Sequence, residues 1–303
     1  MMREFNTREE LKELLEKEME GDHRERPENN FLENSLKTAI AGEYTTTLLE
    51  VYGYPECDPQ YIALVEHSEQ QFPFFVVRMP LTGHNYEALN EFARLLLTKY
   101  RHNLRKYSYR IDQKFNFCLQ FEQNLSILGE KFVQANTLAN GWFFMDAKQR
   151  ETILSANTDA PVGFSFEKVD ADKDGEMIHA VWKYGVDAEC TKNRLRHLPS
   201  ICARNEKGEI VGWVMSSRFG QISNLYVLPE YRNLGLGKNL ELSVAKEFSR
   251  KGMRVFKYVE ISNKSVFDGS LRSPHWTLWM EEDEDNNETK HTKVNYLKKF
   301  KRA

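Results

Sequence analysis

Long apolar stretches are missing from this sequence. No run approaches the roughly 20 residues that a membrane-spanning helix requires. The N-terminus also lacks the apolar core of a signal peptide, and the glutamates that crowd residues 4–20 are at odds with a mitochondrial transit peptide, which avoids acidic residues. We therefore expect a cytoplasmic protein with no membrane partner. A mitochondrial location stays open, because an internal targeting signal would escape these patterns.

An excess of basic residues is missing as well. The chain has 42 Lys and Arg residues against 45 Asp and Glu, a net charge of −3 and a pI near 6.3. Proteins that bind nucleic acids or anionic membrane surfaces carry a basic patch. The charge balance therefore indicates no nucleic-acid partner, although a pocket for a small charged substrate needs only a few residues.

Cysteine pairs with a metal-binding spacing are absent. The four cysteines, Cys57, Cys118, Cys190 and Cys202, are spread through the chain without a CxxC pair. The set Cys190, His197 and Cys202 does not fit a zinc spacing. We expect no metal site, and we expect reduced thiols packed in the core. Reduced thiols are typical of a reducing compartment.

The chain is long enough for two domains. Its 303 residues exceed the usual size of one domain, and 41% hydrophobic with 29% charged residues is ordinary for a soluble globular protein. A loop at 155–163 (SANTDAPVG), rich in Asn, Asp, Pro and Gly, predicts the boundary. We expect an N-terminal α/β domain at 1–158, a second domain at 159–280 and a charged tail at 281–303. The composition of the tail predicts a solvated or weakly ordered segment, with a docking segment as the alternative.

Hydrophobic periodicity predicts mixed helix and strand in both halves. In the first half it predicts helices at 7–20, 86–100 and 142–154 and strands at 44–52, 60–66, 72–79 and 115–121. In the second half it predicts helices at 173–183, 188–196 and 237–250 and strands at 163–169, 199–204, 210–216, 222–228 and 254–261. Thr7 and Glu10 have the spacing of a capping box. No catalytic signature precedes residue 155, and no sequence repeat relates the two halves.

One segment has the pattern of an anion-binding site. Residues 222–237 read ISNLYVLPEYRNLGLG, which predicts a strand, a short loop and the start of an amphipathic helix. A helix N-terminus presents unpaired N–H groups and the positive end of its dipole, so it binds an anion such as a pyrophosphate. Gly235 and Gly237 let the backbone approach phosphate oxygens without a Cβ in the way, and Arg232 and Lys238 add positive charge. The alternative is an ordinary strand–turn–helix with Arg232 in a surface salt bridge.

The whole unit of strand, PEYR, RxxGxG and amphipathic helix resembles the acyl-CoA-binding motif of the GNAT superfamily, and PEYR followed by GLG looks like its glycine N-acyltransferase-like branch. The resemblance covers most of residues 160–280, whereas the first half resembles the extra domain of that branch in length and position only. It implies an α/β (α+β) fold, in which a C-terminal GNAT domain with a mixed, largely antiparallel sheet follows a second α/β domain. The expected order is strand, two helices, three antiparallel strands and the phosphate-binding helix.

The resemblance also implies a set of cofactor-binding residues. Leu225, Tyr226 and Val227 would offer backbone groups to the pantetheine arm, and a bulge would part the fourth and fifth strands so that a backbone N–H near Tyr226 faces the thioester oxygen. Asn263 matches an Asn that contacts the cofactor in the family, with a turn-forming or capping Asn as the alternative. The cofactor would be acetyl-CoA or another acyl-CoA, used as co-substrate. Its pyrophosphate would contact the residues at the helix start: Arg232, Asn233, Leu234, Gly235, Leu236, Gly237 and Lys238.

The glutamate that serves as the base in the resembled branch has no counterpart here. In glycine N-acyltransferases it stands eight positions before the Pro of the PEYR-type motif, and in this chain that position is Gln221. An amide cannot accept a proton at neutral pH. Glu260, His275 and Tyr258 are candidate substitutes, each with a purely structural role as its alternative. The catalytic residues therefore stay unassigned.

The sequence thus predicts an acyl-CoA-dependent N-acyltransferase that moves an acyl group from coenzyme A to the amine of a small molecule such as glycine. Two alternatives stay open: a non-catalytic acyl-CoA-binding relative that lacks the base glutamate, and a protein N-acetyltransferase. These patterns specify no acyl chain, acceptor amine or oligomeric state.

Overall fold

Two units, each with its own buried core, organise the chain. The computed structural model describes residues 1–20, 27, 29–42, 47–68, 71–78, 80, 85–106, 109–113, 124, 132–183, 185, 187–217, 219–282, 290–292 and 294–302. The first unit consists of Met1–Gly141, Glu260–Lys264 and Met280–Ala303, and the second of Trp142–Val259 and Ser265–Trp279. The domain limits at 158 and 280 stay predictions.

The first unit packs a sheet against one long amphipathic helix. Its elements are β1 Arg3–Phe5, α1 Arg8–Glu18, α2 Asn29–Ala41, β2 Thr47–Tyr54, β3 Tyr61–Ser68, β4 Gln71–Arg78, α3 Tyr86–Lys106, β5 Tyr109–Gln113 and, running on beyond the unit, β6 Phe132–Phe144. The stripe of Leu89, Phe92 and Leu96 on α3 is buried against Tyr61, Phe75 and other residues of β2, β3 and β4. Thr7 and Glu10 form the expected capping box at the start of α1.

The basic C-terminal segment forms a strand. The last elements are β13 Met280–Glu282, β14 Lys290–Thr292 and β15 Val294–Arg302. β15 pairs antiparallel with both β5 and β6, so the expectation of a solvated or weakly ordered tail is wrong for residues 294–302. The segment has a strand pattern that its many lysines make hard to recognise. Its apolar residues Val294, Tyr296 and Phe300 are separated by two and by four positions, as expected for residues on one face of a strand.

The second unit has the fold that the resemblance predicts. Its elements are α4 Ala147–Ser155, β7 Phe164–Lys168, α5 Ala171–Val181, α6 Ala188–His197, β8 Ser200–Asn205, β9 Ile210–Ser216, β10 Gln221–Val227, α7 Leu236–Arg250, β11 Phe256–Glu260, α8 Lys264–Arg272 and β12 Thr277–Leu278. The strands run in the order β7-β8-β9-β10-β11. The first four are antiparallel and β11 is parallel to β10, which gives a mixed, largely antiparallel sheet.

The sheet of the second unit has a core on each face. Val214 of β9 and Ile222 of β10 pack with the apolar face of α7, which includes Leu240 and Phe248. Trp213 and Met215 of β9 belong to the core with α5 and α6. The two cores use alternating residues of β9, as the pleat of a strand requires.

Both units have the same order of elements. The first has β1, α1, α2, β2, β3, β4, α3 and β5, and the second has β7, α5, α6, β8, β9, β10, α7 and β11. In each, the strand after the long helix pairs in parallel with the strand before it. The chain therefore contains a repeat of topology, which sequence comparison of the two halves missed because the residues at matching places differ.

Three expectations differ from the structure or lie outside it. The helix expected at 142–154 begins later, because Phe143 and Phe144 still belong to β6 and Asp146 caps α4. Cys190 and Cys202 are free and buried as expected, but Cys57 is exposed, since it lies in the polar turn after β2. Cys118 and the strand expected at 115–121 lie outside the described residues. No helix in the described ranges is both long and apolar enough to cross a membrane.

Candidate cofactor site

The start of α7 leaves backbone N–H groups without acceptors. After β10 the chain makes a single 3-10 turn at Pro229–Tyr231, and Asn233 and Gly235 then adopt positive φ angles of 64° and 81°. Asn239 donates its N–H to the carbonyl of Gly235 at 3.1 Å. In the described part of the chain, the N–H groups of residues 236–238 have no acceptor, and no side chain caps the helix. Such a helix start binds an anion.

The backbone conformation favours glycine at 235, whereas an added Cβ at 237 would fit among the neighbouring protein atoms. The φ of 81° at Gly235 is a left-handed conformation that L side chains rarely adopt. A Cβ at Gly235 would have only Pro161 Cγ nearby, at 4.0 Å, so the space beside this residue is open. A Cβ at Gly237 would make an ordinary contact of 3.7 Å with Val227 Cγ2. The backbone at Gly235 is therefore open to a ligand.

A short segment is fixed along α7 and ends beside this site. Asn239, Ser243 and Lys246 share one face of the helix, and each donates a side-chain hydrogen bond to a backbone carbonyl of residues 156–159, at 2.8, 3.0 and 2.8 Å respectively. The same segment brings Pro161 next to Gly235. One side of the site is thus formed by Pro161, which follows a segment that three hydrogen bonds hold along α7.

Arg232 folds back onto the end of β10. Its Nε donates to the carbonyl of Val227 at 3.0 Å, and its guanidinium carbon lies 5.7 Å from the ring centroid of Tyr226. Tyr226 in turn stacks on the buried Trp213, with centroids 5.0 Å apart. The positive charge of Arg232 therefore lies beside Tyr226 and Val227 at the end of β10. Lys238, in the first turn of α7, supplies the second cation that the motif predicts.

A bulge parts β10 from β11. The register of β10 against β9 shifts between Ser223 and Tyr226, and Asn224 within this interval has a φ of 47°. Among the described residues, β10 pairs with β11 only at Gln221 and Ile222. The backbone of residues 225–227 consequently lies at an opening in the sheet, as the resemblance implies. The expected bulge is confirmed.

Two residues that form this opening were missed in the sequence. Asn224 tolerates its positive φ because Asn is enriched in the left-handed region. Gly212 on β9 lies opposite Val227, and a Cβ there would approach the carbonyl oxygen of Tyr226 to 3.1 Å. A glycine inside an apolar strand is a signal of close backbone approach, and IVGWVMS carries that signal.

Gln221 lies at the start of β10, half-buried, with its carbonyl oxygen accepting a 2.8 Å hydrogen bond from the N–H of Ser217. Alternation along the strand places the Gln221 and Ser223 side chains on one face. Arg194 of α6 reaches the same region, where its Nη2 donates to Ser223 Oγ at 3.4 Å and to Ser216 O at 3.2 Å. Its guanidinium carbon lies 4.9 Å from the ring centroid of Trp182. The guanidinium of Arg194 and the side-chain amide of Gln221 therefore lie on the same face of β10.

The three candidate substitutes for the base have separate surroundings. Tyr258 packs edge-on against Trp142, with centroids 5.3 Å apart. His275 has a buried Nδ1 with no partner among the described residues. Burial, and then the positive charge of Lys238, lower the pKa of His275 from its usual value. Glu260 belongs to the first unit.

The second unit brings together all the predicted cofactor-binding residues except Asn263. Asn263 belongs to the first unit, where its N–H donates to the carbonyl of Glu260 at 2.9 Å in the turn before α8. This bond fits the turn-forming alternative. Within the described ranges no three His, Cys, Asp or Glu side chains are grouped closely enough to hold a metal ion.

Comparisons with known proteins agree with this architecture. Residues 201–267 match the family model of FR47-like proteins. The X-ray structure of a Drosophila protein is similar with a TM-score of 0.70 at 15% identity, covering 98% of this chain and 97% of its own. A tandem GNAT protein from the clavulanic acid biosynthesis pathway, solved without acetyl-CoA, gives 0.52 at 12% identity, covering 100% and 98%. A GCN5-related N-acetyltransferase from Sphaerobacter thermophilus gives 0.51 at 11%, covering 99% and 95%.

These structures show that the chain has the GNAT fold, and with the FR47-like match they support the GNAT superfamily.

Proposed function

We propose that this protein is an acyl-CoA-dependent N-acyltransferase of the glycine N-acyltransferase-like branch, which acts on a small amine such as glycine. The observation that carries the proposal is the uncapped start of α7 beside the opening between β10 and β11. An anion site next to a free strand edge matches the two chemical ends of coenzyme A, a pyrophosphate and an amide-bearing pantetheine arm.

The residues at the site fit a pyrophosphate. The N–H groups of residues 236–238 and the positive end of the α7 dipole favour negative charge. Lys238 adds a cation, and Gly235 leaves open space beside its backbone. The resemblance extends this set to Asn233 and Leu234. The amide-rich pantetheine arm would pair with the backbone of Leu225, Tyr226 and Val227, as an added strand pairs with a sheet edge.

The chemistry that follows is direct transfer. The amine nitrogen bonds to the thioester carbon, the carbon–sulfur bond breaks, and the thiolate takes up a proton as the amine loses one. The chain contributes positioning of the two reactants, and a backbone N–H near Tyr226 stabilises the oxyanion. The Arg194 guanidinium on the Gln221 face supports an acceptor that carries a carboxylate, such as glycine, because a guanidinium pairs well with a carboxylate.

The second candidate is an acyl-CoA-binding protein without transferase activity. Gln221 favours it, because the amide cannot take the proton from the amine. A slow transferase in which water accepts this proton would show the same site. Activity and binding must therefore be measured separately.

The decisive experiment follows CoA release from acetyl-CoA and longer acyl-CoAs with glycine, methylamine and a lysine peptide as acceptors, beside calorimetric titration with CoA. We expect CoA binding and release with glycine above the rate of thioester hydrolysis. Binding without release on any acceptor would establish the non-catalytic candidate, and release with the peptide alone would establish a protein N-acetyltransferase. Absence of CoA binding would refute all three.

A further inference from the structure

Two buried side chains of the second unit, those of Lys257 and Trp276, bind the buried carboxylate of Glu241. The Nζ of Lys257 lies 2.6 Å from Oε1 of Glu241, and Trp276 donates its Nε1–H to Oε2 at 2.9 Å. The exposed fractions of the three residues are 4, 8 and 5%. The Lys257 Nζ also lies 4.3 Å from the ring centroid of Trp276. Both oxygens of the Glu241 carboxylate are therefore engaged away from solvent.

These side chains lie on the elements that form the cofactor site. Glu241 is in the second turn of α7, directly after the turn with the open N–H groups. Lys257 is the β11 residue that pairs with Ile222, the last paired position before β10 and β11 part. Trp276 belongs to the segment after α8, next to His275. One carboxylate thus ties the start of the helix to the strand at the edge of the opening.

A buried ion pair is a costly way to fill a core. Removing two charges from water costs free energy that their attraction does not reliably recover, and apolar replacements of similar size are often as stable. An ion pair does, however, have one preferred geometry, whereas apolar side chains accept many. The Glu241–Lys257 pair is therefore better explained by the register that it imposes than by stability.

We propose that Glu241, Lys257 and Trp276 are positioning residues that hold the first turn of α7 in place relative to β11, so that the phosphate-binding N–H groups and the opening in the sheet keep the spacing that acyl-CoA requires. The inference rests on the proposed function. Without these contacts, binding must first order the helix start, which weakens affinity.

The test variant is Lys257→Met with Glu241→Gln. It removes both charges at nearly constant volume and keeps an oxygen that accepts from Trp276. The chain offers a matched control in the buried pair of Arg204 on β8 and Asp174 on α5, which are 6 and 4% exposed and 2.6 Å apart. The control variant is Arg204→Met with Asp174→Asn, which removes a buried ion pair that involves α5 and not α7, and which also removes the partner of the half-exposed Glu167.

We expect the Lys257→Met, Glu241→Gln protein to bind CoA about tenfold more weakly, about 1.4 kcal/mol, with a similar rise in the KM for acetyl-CoA and kcat within about threefold. The control should stay within about twofold in Kd. Amide hydrogen exchange at residues 236–241 should become faster in the test variant and not in the control. Equal affinity in the test variant and the wild type, or an equal loss in both variants, overturns the proposal.

Trp276→Phe decides the question if the double variant does not fold. It keeps the ion pair and removes one hydrogen bond, so we expect CoA affinity to fall about threefold, and unchanged affinity overturns the proposal. A wild-type protein that binds no CoA refutes the proposed function and this inference together. Wild-type binding with an unaffected variant refutes only the positioning role.

Discussion

The side-chain oxygen of Asn85 accepts a hydrogen bond of 3.0 Å from the N–H of Ala88. Asn85 therefore caps α3, which has the same place in the first unit as α7 has in the second. Its carbonyl oxygen also accepts from the hydroxyl of Tyr61 at 2.9 Å. The start of α3 is therefore capped by a side chain, whereas α7 has Gly235 at its N-cap position and no side-chain cap.

This difference predicts one CoA site for each chain. Calorimetric titration of the full chain should give a stoichiometry of one. Asn85→Ala should lower the free energy of unfolding by about 1 kcal/mol, because it removes a cap, and should leave CoA affinity unchanged. A stoichiometry of two, or a loss of CoA binding in a folded Asn85→Ala protein, would show that the first unit takes part in binding.

Gly235→Val should weaken CoA binding at least tenfold, about 1.4 kcal/mol. The added side chain enters the open space beside the helix start and disfavours the φ of 81°. Gly208→Val is the matched control, since Gly208 has a φ of 75° in the turn between β8 and β9 with nothing within 4 Å of an added Cβ. Both variants carry similar backbone strain, so only the first should lose affinity in calorimetry. Unchanged binding in folded Gly235→Val protein rules out this cradle.

Asn224→Val should disturb the bulge that opens the sheet. A β-branched residue at a φ of 47° costs on the order of 1–3 kcal/mol, and the strand relieves this strain by changing its register. We expect a lower midpoint in urea unfolding together with weaker CoA binding. Asn224→Gly, which keeps access to positive φ, serves as control and should retain CoA affinity. Equal CoA affinity in the two variants would show that the bulge does not contribute to cofactor binding.

Gln221→Glu should accelerate acyl transfer, because it adds a carboxylate where the resembled branch has its base. The two side chains are similar in size, and a placed base contributes about 10² to 10⁴ in rate. The gain should be largest below the pKa of the amine, where deprotonation limits the reaction. The measurement is a pH–rate profile with glycine and acetyl-CoA, with Gln221→Met as a control of similar length that adds no base. Equal rates at every pH, with intact CoA affinity, would show that Gln221 does not lie in the amine pocket.

His275 should make the protein less stable in mild acid. Burial, and then the charge of Lys238, hold the pKa of His275 below its usual value of 6.5, so the unfolded chain binds a proton more readily than the folded one. The contribution of His275 to the free energy of unfolding is therefore fully present above pH 6.5, and it is lost as the pH drops from there through the folded pKa. Urea unfolding between pH 7.5 and 5.5 should show this loss, and His275→Gln should reduce it. An identical pH dependence in both proteins would contradict the prediction.

The second unit was predictable because its signals are local. The amphipathic helix α7, the turn at Gly208 and the PEYR loop each follow from residues close in sequence, and the strand and helix limits expected for the second half agree within a few residues. The opening at Asn224 was expected only through the resemblance, since a bulge depends on the register between β9 and β10. The ion pair of Glu241 and Lys257 was not expected at all, because tertiary packing alone joins residues so far apart.

The first unit was harder to read for a related reason. Helix α2 buries polar residues such as Asn34, so it lacks a clear apolar stripe. Strand β15 comes from the far end of the chain and carries many lysines. Neither element can be recognised without knowing which neighbours cover it. The shared order of elements in the two units is likewise a property of topology, which short-range patterns do not contain.

The parting of β10 and β11 has a consequence for solubility. A strand edge with unpaired backbone groups invites pairing with the strand of another molecule, and proteins protect themselves by keeping such edges short or twisted. Here β10 continues only through residues 225–227 after the bulge at Asn224, before the 3-10 turn that begins at Pro229. The bulge turns this part of the edge away from β11. Three residues are at the lower limit of strand length in globular proteins, so they offer a foreign strand few hydrogen bonds. The unit can therefore expose the backbone that a ligand needs without offering a template for aggregation.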